Sequence, residues 1–100
     1  RKRIISEYYV LYKNERLYFD FLIRDLGVFI EVQGQQHVKF VRHFHGSVGG
    51  FRRQKFRDNL KIQYVQENNL SLVRIYDTED VNKDLILYKI NMALENTFYE

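Results

Sequence analysis

Two stretches of strict alternation, residues 17–24 and 28–33, constrain this chain more than anything else in it. In the first, Leu17, Phe19, Phe21 and Ile23 oppose Tyr18, Asp20 and Leu22. In the second, Val28, Ile30 and Val32 oppose Phe29, Glu31 and Gln33. A period of two on β-branched and aromatic residues makes strands, and the Asp-Leu-Gly between them makes the strands a hairpin. With Leu26 and Gly27 as a two-residue turn, Asp25 pairs with Val28, and Asp20 falls opposite Gln33 and diagonal to Glu31. A carboxylate on a central apolar strand is costly unless something compensates it. Two that converge predict a divalent cation held by oxygen ligands.

The rest of the chain organises around that hairpin. Residues 4–12 are rich in β-branched and aromatic types and read as a strand, and the polar residues 13–16 turn the chain into the next one. Together with 17–24 and 28–33 they predict a three-stranded antiparallel meander. The pattern breaks up over 34–50, where Gly46, Gly49 and Gly50 read as a mobile loop. Binding groups often sit on such segments, which draws attention to its His and Arg residues. Residues 51–69 predict a helix, with Phe56, Leu60 and Tyr64 on one stripe and Asp58, Ile62 and Val65 on another. Residues 70–76 predict a fourth strand. Asp77 or Thr78 then caps a closing helix carrying Val81, Leu85, Tyr88 and Met92 at helical spacing. The order β-β-β-α-β-α predicts a single α/β domain, a mixed sheet with helical cover. Without an initiator Met, the 100 residues are expected to be a piece of a longer protein.

Composition removes several classes. No Cys is present, which excludes disulfides and Cys-based zinc sites. No apolar run approaches the length of a membrane span, and no signal-peptide pattern appears. The net charge of +3 is by itself a weak argument for a nucleic-acid partner. Its distribution says more. Lys39, Arg42, Arg52, Arg53, Lys55, Arg57 and Lys61 crowd the middle, while Asp77, Glu79 and Asp80 gather later. One-sided basic surface is the electrostatic footprint of phosphate binding.

In order along the chain, Asp20, the run Glu-Val-Gln-Gly-Gln-Gln-His at 31–37, Arg57 with Asp58, and Leu-Ser-Leu-Val-Arg-Ile at 70–75 resemble the PD-(D/E)-x-K nuclease superfamily. Within it, the pattern is most similar to the very-short-patch-repair branch and to phage and intron homing endonucleases with an E-D-x-H-D signature. The resemblance runs from about residue 4 to residue 76. It implies a restriction-endonuclease-like fold and hydrolysis of DNA phosphodiesters with Mg²⁺, or a similar cation such as Mn²⁺.

Carried over by residue, the resemblance makes Asp20 the metal-binding aspartate of the first motif and puts Glu31 at the (D/E) position. Gln33 replaces the usual lysine. His37 matches the histidine near the scissile phosphate, where neutral imidazole accepts a proton from water. Asp58 matches the helix aspartate that supports it. The signature's leading glutamate belongs on a helix ahead of the first strand; Glu7 is the nearest substitute, provided that Tyr9 pairs with Asp20. Arg42, Arg52, Arg53, Lys55, Arg57 and Lys61 are expected to contact phosphates of double-stranded DNA. Tyr8, Tyr9, Tyr12, Tyr18 and Phe19 read as core and sheet surface rather than as base-stacking platforms.

The competing readings are structural. They make Asp20 a partner of Arg24 or Lys61, Glu31 a sheet carboxylate paired with an arginine, and Asp58 a partner of Lys61 or Arg57. At the level of function, the alternatives are a mismatch-repair nicking enzyme, which the lack of Cys disfavours, and a DNA-binding module that keeps the fold without catalysis. The expected location is the cytoplasm of a bacterial or phage-infected host cell, and homodimerisation stays open.

Overall fold

A computed structural model describes residues 3–33, 48–77 and 79–100. Its elements follow the order β1 (Ile4–Tyr12), β2 (Glu15–Ile23), β3 (Val28–Gln33), α1 (Val48–Glu67), β4 (Ser71–Tyr76), α2 (Lys83–Asn96) and β5 (Phe98–Tyr99). The strands form one five-stranded sheet in chain order. The meander β1–β2–β3 is antiparallel, β3 and β4 are parallel across α1, and β4 and β5 are parallel across α2. Parallel neighbours need a crossover, and each helix supplies one. The result is a small α/β protein with a mixed sheet. The expected order omitted β5, whose two residues are too few for alternation to register. Helix α1 begins at Val48, so Gly49 and Gly50 belong to its first turn rather than to a loop.

The two hairpins differ. Lys13 and Asn14 both have positive φ, 50° and 63°, between the paired Tyr12 and Glu15. That is the backbone of a tight two-residue hairpin turn, which right-twisted strands favour. Between β2 and β3 the expected two-residue turn does not form. Ile23 pairs with Val28, so residues 24–27 make a longer loop. Leu26 packs against the core beside Ile23 and Val28, and Gly27, at φ +66°, offers its carbonyl to the Ser71 amide at 2.8 Å. Burying Leu26 and bonding to β4 is what enlarges the loop. The register therefore shifts by two residues. An even shift keeps every side chain on its face, so Glu31 and Gln33 still share one.

Each face of the sheet carries one helix. Leu17, Phe19, Leu22, Phe29 and Leu72 pack with Leu60 and Val65 of α1. Ile23, Val28, Val73 and Ile75 pack with Ile90 and Ala93 of α2. Phe19 and Leu22 lie on the same side although they are three positions apart, and so do Ile5 and Tyr8 of β1. Both strands thus reverse their alternation at the same level. The ladder passes from Ser6–Phe21 to Tyr8–Phe19, skipping Glu7 and Asp20, and Glu7 has φ 55°. The plain alternation grouped Phe21 with Leu17 and Phe19; the reversal buries Leu22 there instead.

The helices depart from their apolar stripes because they bury polar residues. In α1 the buried positions are Asp58, Leu60, Lys61 and Val65, while Phe56 is 52% exposed. In α2 they are Lys89, Ile90 and Ala93 rather than the expected Leu85, Tyr88 and Met92. The cap is Asn82, whose Oδ1 accepts from the Leu85 amide at 2.9 Å, rather than Asp77; Thr78 lies outside the described residues. Lys89 tolerates burial because its ammonium donates to the Arg74 carbonyl at 2.8 Å and to Glu79 Oε1 at 2.7 Å.

The Lys89 bond, then the Tyr76 amide, hold the Glu79 carboxyl below its ordinary value of 4.5. A depressed carboxyl stabilises the fold above its unfolded value, and the effect disappears as pH falls through the folded one. The stability gap between wild type and Glu79→Gln should therefore be widest above about pH 4.5 and close on acidification, as read from urea midpoints. A gap that does not vary with pH would contradict the assignment.

Candidate active site

Glu31 and Gln33 project from β3 towards α1 and are 4% and 3% exposed. Lys61 of α1 donates its ammonium to Glu31 Oε2, while its charge also lies 5.4 Å from the centre of the Phe19 ring. Arg74, directly beside Glu31 on parallel β4, brings Nε to 3.7 Å from Glu31 Oε1. The same guanidinium donates to the Asp58 carbonyl at 3.1 Å, stands 3.8 Å from Glu100 and stacks over Phe98 at 4.9 Å. Tyr76 donates its hydroxyl to Glu100. A polar network, buried at Lys61, Glu31 and Arg74, thus runs out to the exposed Glu100 just beyond β5.

Burial pushes the Glu31 carboxyl above its ordinary value; Lys61, and then Arg74, pull it back without cancelling the rise, and the negative charge of Asp58 adds to it. Burial, and then the bond to Glu100, push the Tyr76 hydroxyl well up. Among the described residues, Glu31 Oε1, Gln33 Nε2 and Arg74 Nε are buried without a hydrogen-bond partner. Native interiors rarely leave such atoms unpaired, and exceptions often mark sites that receive something else.

Asp20 is placed differently. It is exposed, and its Oδ2 accepts from the Val32 amide at 2.8 Å. Pairing between β2 and β3 stops at Phe21–Ile30, whereas β3 stays paired with β4 as far as Gln33. The strands part here, and the Asp20 carboxylate takes the peptide that follows Glu31. The expected arrangement, Asp20 opposite Gln33 and converging with Glu31, is replaced by this contact: the irregularity at Glu7 and Asp20 turns the Asp20 side chain to the face of Phe21 and Val32, whereas Glu31 faces α1. Glu7 comes level with Asp20 because Tyr9 pairs with Tyr18, not with Asp20. Both acids line an open depression of about 520 Å³ with Ser6, Phe21 and Val32.

The remaining candidates divide. Asp58 is buried on α1, close enough to Glu31 to raise its carboxyl. Arg52 and Arg53 are exposed early in α1, and Lys55 and Arg57 are half-buried. Lys61 is not presented to solvent as a phosphate contact; its partner is Glu31. His37 and Arg42, with Lys39, His43 and His45, lie outside the described residues. Among the described residues, no three His, Asp or Glu side chains assemble as a metal-binding group, and no helix is long and apolar enough to cross a membrane. Arg74 and Glu100 were not among the expected site residues. The one signal for Arg74 was a charge in the middle of an apolar strand.

No family model matches the chain, and no solved structure matches it. It is similar to an uncharacterized protein, 307L, of Invertebrate iridescent virus 6, at 36% identity over 69 residues, covering 68% of this chain and 35% of that protein. The chain thus spans about a third of the length of the curated relative that it matches.

Removing one member of a buried ion pair strands the other, at a cost of about 3–5 kcal/mol. Lys61→Met should lose about that much stability in denaturant titrations, and Glu31→Gln somewhat less, because an amide still accepts from Lys61. The double variant should lose less than the sum. Strict additivity would mean that the two side chains do not depend on each other.

Proposed function

We propose that this chain is the catalytic domain of a metal-dependent DNA endonuclease with a restriction-endonuclease-like fold, of the homing-endonuclease type. The observation that carries the reading is the fork between β2 and β3, where the exposed Asp20 carboxylate binds the peptide next to Glu31. The motif order and the meander followed by a helical crossover support it.

Asp20, with a neighbouring backbone carbonyl of β3, would hold Mg²⁺ or Mn²⁺; Glu31, which faces α1, would join them only by leaving Lys61 and Arg74. The donor set suits a hard cation, and Glu31 Oε1 has no hydrogen-bond partner among the described residues. A cation there supplies Lewis acidity towards the scissile phosphate. Gln33 carries no charge, but the Lys61 ammonium lies beside Glu31 and offsets negative charge where the motif lysine would. His37 takes the proton of the attacking water, and Asp58 orients it. Arg52 and Arg53, with Lys55, Arg57 and Arg42, hold the duplex backbone. A second reading, a DNA-binding module without catalysis, is favoured by one observation: Lys61 and Arg74 already engage Glu31.

Asp20→Asn should abolish plasmid cleavage in Mg²⁺ while the protein stays folded and bound to DNA. Undiminished cutting by that variant rejects the metal assignment, and a wild type that binds DNA but never cuts with Mg²⁺ or Mn²⁺ selects the second reading. Loss of a general base costs on the order of 10²–10⁴-fold in rate, the drop expected for His37→Ala but not for His43→Ala or His45→Ala. Replacing Arg52 and Arg53 together by Ala should weaken duplex binding equally across sequences and flatten its salt dependence. A loss confined to one target sequence would instead assign them to base reading.

A further inference from the structure

On the face of the β1–β2 hairpin turned away from α1, two cross-strand pairs follow one another, and two acids that interrupt the ladder lie beyond them. Leu11 pairs with Arg16 and Tyr9 with Tyr18, and Glu7 comes level with Asp20. Leu17 and Phe19, which alternate with Arg16, Tyr18 and Asp20, are buried under α1, so this second set points the other way. Tyr9 and Tyr18 are 55% and 57% exposed, and their rings stack with centroids 5.5 Å apart at 26°. Large aromatic surface left in water on a sheet face has a cost that burial against a partner would remove. A depression of about 430 Å³ lined by Glu7, Tyr18, Phe19 and Asp20 joins Tyr18 to the candidate catalytic carboxylate.

Although their sequence context reads as plain sheet surface, we propose from this exposure and stacking that Tyr9 and Tyr18 form a platform for the bases of an unpaired DNA strand, with Arg16 holding its backbone. The ring pair and Arg16 match that occupant, whereas the Glu7 and Asp20 carboxylates do not themselves attract its backbone. Aromatic rings stack on any base whose face is free, and a blunt duplex hides those faces in its own stack. The exposed guanidinium of Arg16 complements a phosphate. Successive pairs on one face are about 7 Å apart along the strand, a step that an extended nucleotide chain can follow. The sequence Arg16, Tyr18, Asp20 therefore reads cation, ring, carboxylate along one path. Delivery of the strand to Asp20 rests on the nuclease reading; the stacking itself does not.

The test measures binding of oligothymidylate, which has no structure of its own, and of a blunt duplex of equal length, both in EDTA. The variants are the double replacements Tyr9→Ala with Tyr18→Ala, and Tyr9→Phe with Tyr18→Phe. The Ala pair should weaken oligothymidylate binding on the order of 10-fold to 100-fold and leave the duplex nearly unchanged, and the Phe pair should bind like wild type. Because all four substitutions are on exposed side chains, thermal melts should overlay; if the Ala pair unfolds, the single replacements Tyr9→Ala and Tyr18→Ala, each expected to lose part of the oligothymidylate affinity and none of the duplex affinity, decide the matter. Equal loss on both probes, or none on oligothymidylate, overturns the proposal. So does a dimer in sedimentation that the Ala pair dissociates while oligothymidylate affinity is unchanged, which would make the face a contact between copies. Selective loss on oligothymidylate in a protein that never cleaves keeps the platform and rejects the nuclease reading, whereas cleavage without that loss does the reverse.

Discussion

A carboxylate, an ammonium and a guanidinium share the space between β3, β4 and α1, and the rest of the molecule is arranged around that contact. Glu31 cannot be solvated at its depth, so its charge has to be met from both sides, by Lys61 on the helix and Arg74 on the next strand. Meeting it fixes which face of α1 lies down: Lys61 turns inward, Asp58 and Leu60 turn with it, and Phe56 is left outside. Burial of this kind does not necessarily stabilise a fold against an apolar equivalent, but it does penalise every misregistered arrangement that leaves one charge alone.

The same contact reaches the far edge of the sheet. Arg74 continues from Glu31 to the Asp58 carbonyl, to Phe98 and to Glu100, so the short strand β5 is tied to the buried charge although it contributes only two residues to the ladder. On the other face, the Arg74 carbonyl accepts from Lys89, which joins α2 to the same position of β4. One residue in the middle of an apolar strand therefore couples both helical layers.

The meander edge is looser, and it is the part that offers chemistry. Glu7 and Asp20 interrupt their ladder, both strands reverse their faces there, and β2 pairs with β3 only from the next residue, Phe21, onward. Backbone groups freed by a fork need partners. Asp20 supplies one by accepting from the Val32 amide, which leaves its carboxylate at the surface rather than in the core. The contrast with Glu31 matters for any cation site: the exposed carboxylate can take a ligand readily, and the buried one only by sharing it with Lys61 and Arg74.

Much of this was legible in the sequence. Alternation located β2 and β3, and the parity of Glu31 and Gln33 survived a register error because the shift was even. Spacing and charge located α1 and β4. Tertiary contacts decided the rest, for reasons that no local pattern carries. The β2–β3 loop lengthened because Leu26 found the core and Gly27 found Ser71. The buried stripe of α2 includes a lysine because two acceptors on other elements wait for it. The reading of Glu31 as a sheet carboxylate beside an arginine holds for its surroundings, with Lys61 as the stronger partner. By itself, then, the sequence determined which segments are the longer strands and helices and that Glu31 and Gln33 share a face, since those follow from periodicity; the reversal at Glu7 and Asp20 and the buried stripes of the helices do not. Only the tertiary structure decided which buried charges meet, because their partners are brought together from strands and helices far apart in the chain.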